Sequence, residues 1–258
     1  MKRIINYTAF IGVLIVLTIA AQTNLNAQQL LLNEVEIDPQ STIRKACQYV
    51  EVRGTPNAAV PVNTYFLSVN SDGANFGFAN QVVGFGGQTV GANGTITLYN
   101  TSSGACPNRT FPAGTTLVNY FTPLTIGTGS ETYLIVQSTA ALSSGADLDA
   151  NDDGVFDAAF GIIALDGFAL IVNPEEEYVY GAAAGVRNIS NTIALDQPDA
   201  VTRFPGNTNA FAQGAFYYGE LAETPDETTA YAAPLSANFP AGGALTPGAP
   251  NVGTSGNK

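Results

Sequence analysis

Five of the chain's eleven aspartates fall in one run, Asp147-Leu148-Asp149-Ala150-Asn151-Asp152-Asp153-Gly154-Val155-Phe156-Asp157. The spacing Asp149-x-Asn151-x-Asp153-Gly154-x-x-Asp157 sets side-chain oxygens at every second residue, then supplies a glycine that can turn sharply. Hard divalent cations are held by such oxygens, and calcium suits the pattern best. Asp149, Asn151, Asp153 and Asp157 fit the first, third, fifth and ninth positions of a calcium loop, and Val155 offers its backbone carbonyl at the seventh. The twelfth position is Phe160, where an EF-hand carries a bidentate glutamate, so the loop is not an EF-hand and no flanking helices are predicted. Asp147, Asp152, or an acid from elsewhere such as Glu175, Glu176 or Glu177, would complete the shell. The competing reading is a solvated acidic turn, because Asn-Asp-Asp-Gly is good turn chemistry in its own right. Mutual repulsion of the crowded carboxylates favours the bound cation. The motif implies a structural metal, Ca2+, and no reaction.

The other candidate chemistry is sparse. No histidine occurs, which removes Ser-His-Asp and Cys-His catalysis and the usual catalytic zinc sites. No tryptophan occurs, which weakens, without excluding, a sugar-binding platform built on stacked aromatic rings. Glu34 and Glu51, on two predicted neighbouring strands, have the composition of a glycosidase pair. The plainer expectation is a solvated strand face, or a pairing of Glu51 with Arg53 or Arg203. Glu175 to Glu177 read as a solvated acidic loop. Tyr178, Tyr180, Tyr217 and Tyr218 read as half-buried strand aromatics. Cys47 and Cys106 are the only cysteines. In an exported chain an even count points to a disulfide, which would tie a loop to the sheet, and two free thiols are the alternative.

Export is expected from the N-terminus. Lys2 and Arg3 precede an almost unbroken apolar run from Ala9 to Ala21, and Leu25-Asn26-Ala27 offers a small residue at a cleavage point. This is the layout of a secretory signal peptide over residues 1–27. The run is short for a membrane span, which needs about 20 apolar residues, so no stable span is expected after cleavage; an uncleaved anchor is the alternative. Removing residues 1–27 takes away two bases and no acid, so the net charge moves from −12 to −14. Such acidity argues against nucleic-acid and anionic-membrane partners.

Along the rest of the chain helical periodicity is nearly absent. Gly, Thr, Asn and Pro recur every ~8 to 12 residues, the rhythm of an all-β domain. Strands are predicted over 30–37, 49–53, 64–69, 81–85, 95–99, 131–137, 168–172, 177–180, 200–204 and 215–218. Asn93-Gly94 marks a tight turn before the fifth, and Asn173-Pro174 a hairpin turn between the seventh and eighth. Beyond Leu221 the chain reads as an irregular tail draped over the domain, with residues 252–258 disordered.

Several separated segments resemble one family. Leu32-Asn33-Glu34-Val35 followed by Tyr49-Val50-Glu51-Val52 is similar to the opening strands of lamin-tail domains. Leu245-Thr246-Pro247-Gly248-Ala249-Pro250-Asn251 resembles the closing motif of bacterial members, and Pro198-Asp199-Ala200-Val201-Thr202-Arg203 resembles their late strand, ahead of the aromatic pair Tyr217-Tyr218. The resemblance spans about 30–251 and departs between about 106 and 180, where the aspartate loop lengthens the chain. It implies an immunoglobulin-like β-sandwich with long loops, and an exported accessory or surface module rather than catalysis. The expectation is therefore a single domain over 28–251, secreted or held at the cell surface. It is non-enzymatic, binds an extracellular protein or glycan, and is stiffened by calcium. A secreted hydrolase using paired carboxylates is the alternative. Mass spectrometry of the secreted fraction should find an N-terminus near Gln28; intact residues 1–27 on a cytoplasmic product would contradict export.

Overall fold

A computed structural model describes residues 29–37, 47–100, 106, 108–120, 129–173, 176–190, 197–222 and 228–253. The expected signal peptide and residues 254–258 of the expected disordered end lie outside them. Twelve strands are formed among the described residues: β1 (Leu31–Glu36), β2 (Tyr49–Arg53), β3 (Thr64–Asn70), β4 (Ala79–Gly84), β5 (Thr95–Tyr99), β6 (Thr116–Asn119), β7 (Glu131–Gln137), β8 (Ile163–Leu170), β9 (Arg187–Ser190), β10 (Ala200–Arg203), β11 (Phe216–Leu221) and β12 (Tyr231–Pro234). They build a seven-stranded sheet ordered β12-β11-β10-β1-β2-β5-β6 and a five-stranded sheet ordered β4-β3-β7-β8-β9. Pairing is antiparallel except at β5–β6 and β8–β9, which are parallel. The expected all-β sandwich is what forms. Among the described residues no helix is long and apolar enough to cross a membrane.

The two sheets face each other across the main core. Leu32, Val35, Val50, Val52, Ile96, Leu98 and Val201 from the larger sheet meet Phe66, Tyr133, Ile135, Phe168 and Leu170 from the smaller. Alternation along β2 places Val50 and Val52 there and turns Tyr49 and Glu51 to the far side. A solvated far side would be ordinary for an antiparallel sheet. Here it is covered too. On the larger sheet Tyr49, Tyr99, Ala200 and Leu221 pack with Cys47, Cys106, Phe111, Tyr231 and Leu245. On the smaller sheet Leu67, Val69, Leu134, Val136 and Ala169 pack under Leu142, Leu148, Tyr180, Phe156 and Phe160. The molecule is thus two sheets with a cover on each outer face.

Several expected elements differ. Strands 81–85 and 95–99 do not form a hairpin, because β4 and β5 belong to different sheets. No strand forms at 177–180; those residues instead brace the aspartate loop, and Tyr180 is fully buried. Tyr217 is fully buried too, rather than half-exposed. Strands β6, β9 and β12 were not expected; each has only four residues. The tail does drape over the domain, but it opens with β12 on the edge of the larger sheet, and the Val252 carbonyl still accepts a bond from the Tyr217 hydroxyl.

Cys47 and Cys106 are bonded, with α-carbons 5.1 Å apart. The bridge fixes the loop beyond β5 to the start of β2. A closed loop of this 59-residue separation restricts the unfolded chain by up to about 4 kcal/mol in the chain-entropy model. Denaturant titration with and without reductant should therefore show a loss of about 2 to 4 kcal/mol on reduction. Identical midpoints would show that the bridge does not constrain the unfolded state.

Candidate functional site

The aspartate loop lies in the cover over the smaller sheet. Phe78 and Asp147 form an isolated bridge, and the Leu148 amide donates to the Gly77 carbonyl, so the loop starts pinned to the β4 end. Leu148 then points into the apolar cluster beneath and is completely buried. Asp149 is completely buried as well. Its Oδ1 accepts the Asp153 amide at 3.1 Å, and its Oδ2 accepts the Gly154 amide and the Tyr180 hydroxyl, each at 2.8 Å. The chain closes a ring around this one carboxylate. Gly154 permits the closure: it sits at φ +79°, and a Cβ there would lie 2.7 Å from the Tyr178 ring. Tyr178 donates to the Asp152 carbonyl at 3.0 Å. Of the glutamates expected to lend oxygens to the loop, Glu175 lies outside the described residues and Glu176 and Glu177 accept from Asn173 and Ser130, while the same segment lends the loop two tyrosines.

The remaining acids also serve the loop's own backbone. Asp147 Oδ1 accepts the Asp149 amide, Asp153 Oδ1 the Val155 amide, and Asp157 Oδ2 the Ala150 amide. Asn151 donates its side-chain amide to Asp153 Oδ2 at 2.8 Å. Asn151, Asp153 and Val155 are exposed, whereas Asp147 and Asp157 are half-buried. All six expected ligand positions therefore share one compact loop. Their side-chain oxygens face amides rather than a common centre, and among the described residues no three acidic side chains form a group that could hold a metal ion.

A second constellation lies under the other cover. β1 bulges between Leu32 and Glu34, so Leu32 and Val35 both reach the core while Asn33 and Glu34 both reach the far side. Glu34 stands directly opposite Glu51. Neither is solvated, and Glu51 forms an ion pair with neither Arg53 nor Arg203, contrary to expectation; both side chains are sealed by the C-terminal segment. The Thr246 amide lies 3.0 Å from each Glu34 oxygen, the Thr246 hydroxyl donates to Oε1, and the Tyr49 hydroxyl donates to Oε2 at 2.7 Å. Glu51 accepts the Gly248 amide and the side-chain amide of Asn33. Asn251 completes the clasp by donating to the Arg203 carbonyl and accepting from Asn33. Burial pushes Glu34 from its ordinary 4.5 up to about 7, against the lowering effect of its donors. Burial and the nearby Glu34 push Glu51 well above its ordinary value.

Arg203 is committed elsewhere. It is fully buried, forms an ion pair with Asp166 of the opposite sheet, and lies 4.4 Å from the centre of the Phe216 ring. The pair also serves the bulge: Leu32 donates its amide to Asp166 Oδ2, and its carbonyl accepts from Arg203 Nε, each at 2.8 Å. Arg109 forms the second buried ion pair, with Glu36 at 2.9 Å. The residues of the closing motif and of the two opening strands were legible as motifs, but their contact was not. The available signal was a glutamate flanked on its own face by Tyr49, with Thr97 its register partner on β5. No protein-family model, curated protein or solved structure matches the chain.

The raised carboxyls make stability pH-dependent, with a definite sign. A group whose folded value lies above its unfolded value keeps a proton in the folded state that the unfolded chain has lost. Its stabilising contribution is full below about 4.5 and is lost as pH rises through about 7. For Glu34 the loss is on the order of 3 kcal/mol. Unfolding free energies measured from pH 4 to 8 should fall through that window, and the fall should be shallower in Glu34→Gln. An identical slope in wild type and variant would contradict the assignment.

Proposed function

We propose that the chain is an exported, non-enzymatic β-sandwich module of the lamin-tail type that makes extracellular or cell-surface interactions. The observation that carries this reading is the fate of Glu34 and Glu51. A hydrolytic pair needs both carboxyls open to substrate and to water. These two are completely buried, and their oxygens accept from Thr246, Gly248, Tyr49 and Asn33. They hold the C-terminal segment in place. The immunoglobulin-like and lamin-tail identity rests on the motif order, now joined by a physical reason for it: the opening Asn-Glu and Val-Glu pairs and the closing Thr-Pro-Gly-Ala-Pro-Asn are two halves of one clasp. The partner is an extracellular protein or a glycan. Nucleic acid is disfavoured by the net charge of −12.

Calcium at the aspartate loop belongs to the same proposal. What supports it is charge and spacing: Asp147, Asp149, Asp152, Asp153 and Asp157 sit in one closed loop, where a cation would relieve their repulsion. Binding requires Asp147, Asp153 and Asp157 to turn from their amides toward a shared centre with Asn151 and the Val155 carbonyl. Extracellular sites of this kind work at Kd of about 10⁻⁴ to 10⁻³ M. Millimolar calcium should then add on the order of 1 kcal/mol and raise the melting temperature slightly, reversibly with chelator. Asp153→Ala should abolish the rise and keep the fold, because Asp153 is exposed. Asp149→Ala should also lower the melting temperature without calcium, because it removes the acceptor of two amides and a tyrosine. No calcium heat at millimolar concentration would make the loop an acidic turn. A pull-down of the mature domain against envelope and matrix fractions tests the module itself, and release of product from a glycan substrate would overturn its non-enzymatic character.

A further inference from the structure

A groove of about 250 Å³ is lined by residues of β9 in the smaller sheet, of β11 in the larger, and of the segments 211–214 and 236–238. Its floor and walls include Phe211, Phe216 and Tyr218, and its rim carries Arg187, Gln213 and Asn238. The rim cation is the unusual part. Among the described residues there are four arginines. Arg109 and Arg203 are in buried ion pairs, and Arg53 donates to the Asn207 carbonyl. Arg187 is exposed and, among the described residues, makes no ion pair. In a chain of net charge −12, an unpaired guanidinium over an aromatic-walled groove is a site for one negative charge.

The walls are set in advance. Phe211 is held at φ +54°, a conformation costly for a residue with a Cβ, and is kept there by donating its amide to Asp166 Oδ1 at 3.0 Å. That acceptor is the buried aspartate that pairs with Arg203 across the two sheets, so the groove wall is tied to the inter-sheet contact. Asn238 is exposed and is fixed by donating its side-chain amide to the Phe216 carbonyl. One cation, the exposed amide side chains of Gln213 and Asn238 and the partly exposed rings of Phe211 and Tyr218 suit a sugar ring that bears a carboxylate. The carboxylate matches guanidinium geometry, hydroxyls pair with amides, and the ring's apolar face lies on an aromatic. A single arginine balances a carboxylate and leaves a phosphate dianion uncompensated. The protein's own negative charge repels a run of uronates, so one uronate in an otherwise neutral glycan is the better match.

We propose that this groove binds a single uronic-acid unit of an otherwise neutral glycan, with its carboxylate on Arg187. The inference rests on the module reading above and gives it a ligand. The test is calorimetric titration of the mature protein with a glucuronate-branched xylo-oligosaccharide, run in chelator so that the aspartate loop cannot bridge through calcium. The unbranched oligosaccharide and acetate serve as controls. The branched sugar should bind at least about tenfold more tightly than either control, and Arg187→Gln should weaken it by about tenfold to hundredfold with an unchanged circular-dichroism spectrum. No binding at millimolar sugar, equal binding of a control, or an affinity unaltered by Arg187→Gln would each overturn the site. Reducing-end release is assayed in the same samples. Product formation with binding intact would overturn the non-enzymatic reading alone, and absent binding without product would overturn the groove assignment alone.

Discussion

Glu34 and Glu51 face each other across two strands, on a sheet face that is closed to water. A buried carboxyl group whose oxygens lack hydrogen-bond partners is costly whether or not it holds its proton, so this face is stable only while donors reach those oxygens. The donors come from the far end of the chain: the amide and hydroxyl of Thr246 and the amide of Gly248. Strands β1 and β2 and the distant segment 245–251 are therefore bound to each other through two side chains. Residues 245–251 contain two prolines and one glycine and have no strand partner over that stretch. Their conformation is set by the carboxylates they cap. Gly248 stands at φ +77° with the Thr115 hydroxyl 2.7 Å from where a Cβ would be, so only glycine turns its amide to Glu51.

The same bulge in β1 that delivers Asn33 and Glu34 to the clasp leaves Leu32 paired with Val52 on β2 but beyond the β1–β10 ladder, which begins at Glu34. The Leu32 amide and carbonyl would be orphaned in the core, where an unmet polar group costs about 1 to 3 kcal/mol. Asp166 and Arg203 meet them and, by pairing with each other, fasten one sheet to the other. A buried pair of this kind is weak evidence for net stability, since desolvation offsets much of the attraction. Its clearer role is registration: only one placement of the smaller sheet sets Asp166 against both Leu32 and Arg203. The anchoring continues outward to Phe211, and so to the groove it lines.

Much of this was legible in the residues. Strands 49–53, 95–99 and 131–137 form with the expected limits, because alternation or a bounded apolar run dominates each. The disulfide was readable from an even cysteine count together with the export expected from the N-terminus. What resisted reading has one physical cause. Polar residues at alternate positions of β1 and β2 look like a solvated face, and nothing local reveals that a distant segment covers it. The expected strand at 177–180 failed for a related reason: Tyr178 and Tyr180 have strand propensity, but their hydroxyls are used by Asp152 and Asp149. The aspartate loop was visible as a closed turn around Gly154. Its spacing did not disclose that the carboxylates would serve their own amides.

Function follows from which acids are spent on structure. The acids of the clasp and the inter-sheet pair are consumed in holding the fold, and those of the aspartate loop hold a turn at the surface. What is left open is the groove lined by β9 and β11 and the loop itself, both suited to recognition. The account stands on the clasp, and amide hydrogen exchange reads it directly. Thr246 and Gly248 lie in a segment without strand pairing, so an unclasped tail would exchange them at nearly free-chain rates. The clasp predicts protection comparable to that of Val50 and Leu98 in the centre of the larger sheet, with opening free energies near that of global unfolding. Fast exchange at Thr246 and Gly248 beside slow exchange in β2 and β5 would show that the C-terminal segment does not seal the glutamates, and would return them to candidacy as a reactive pair.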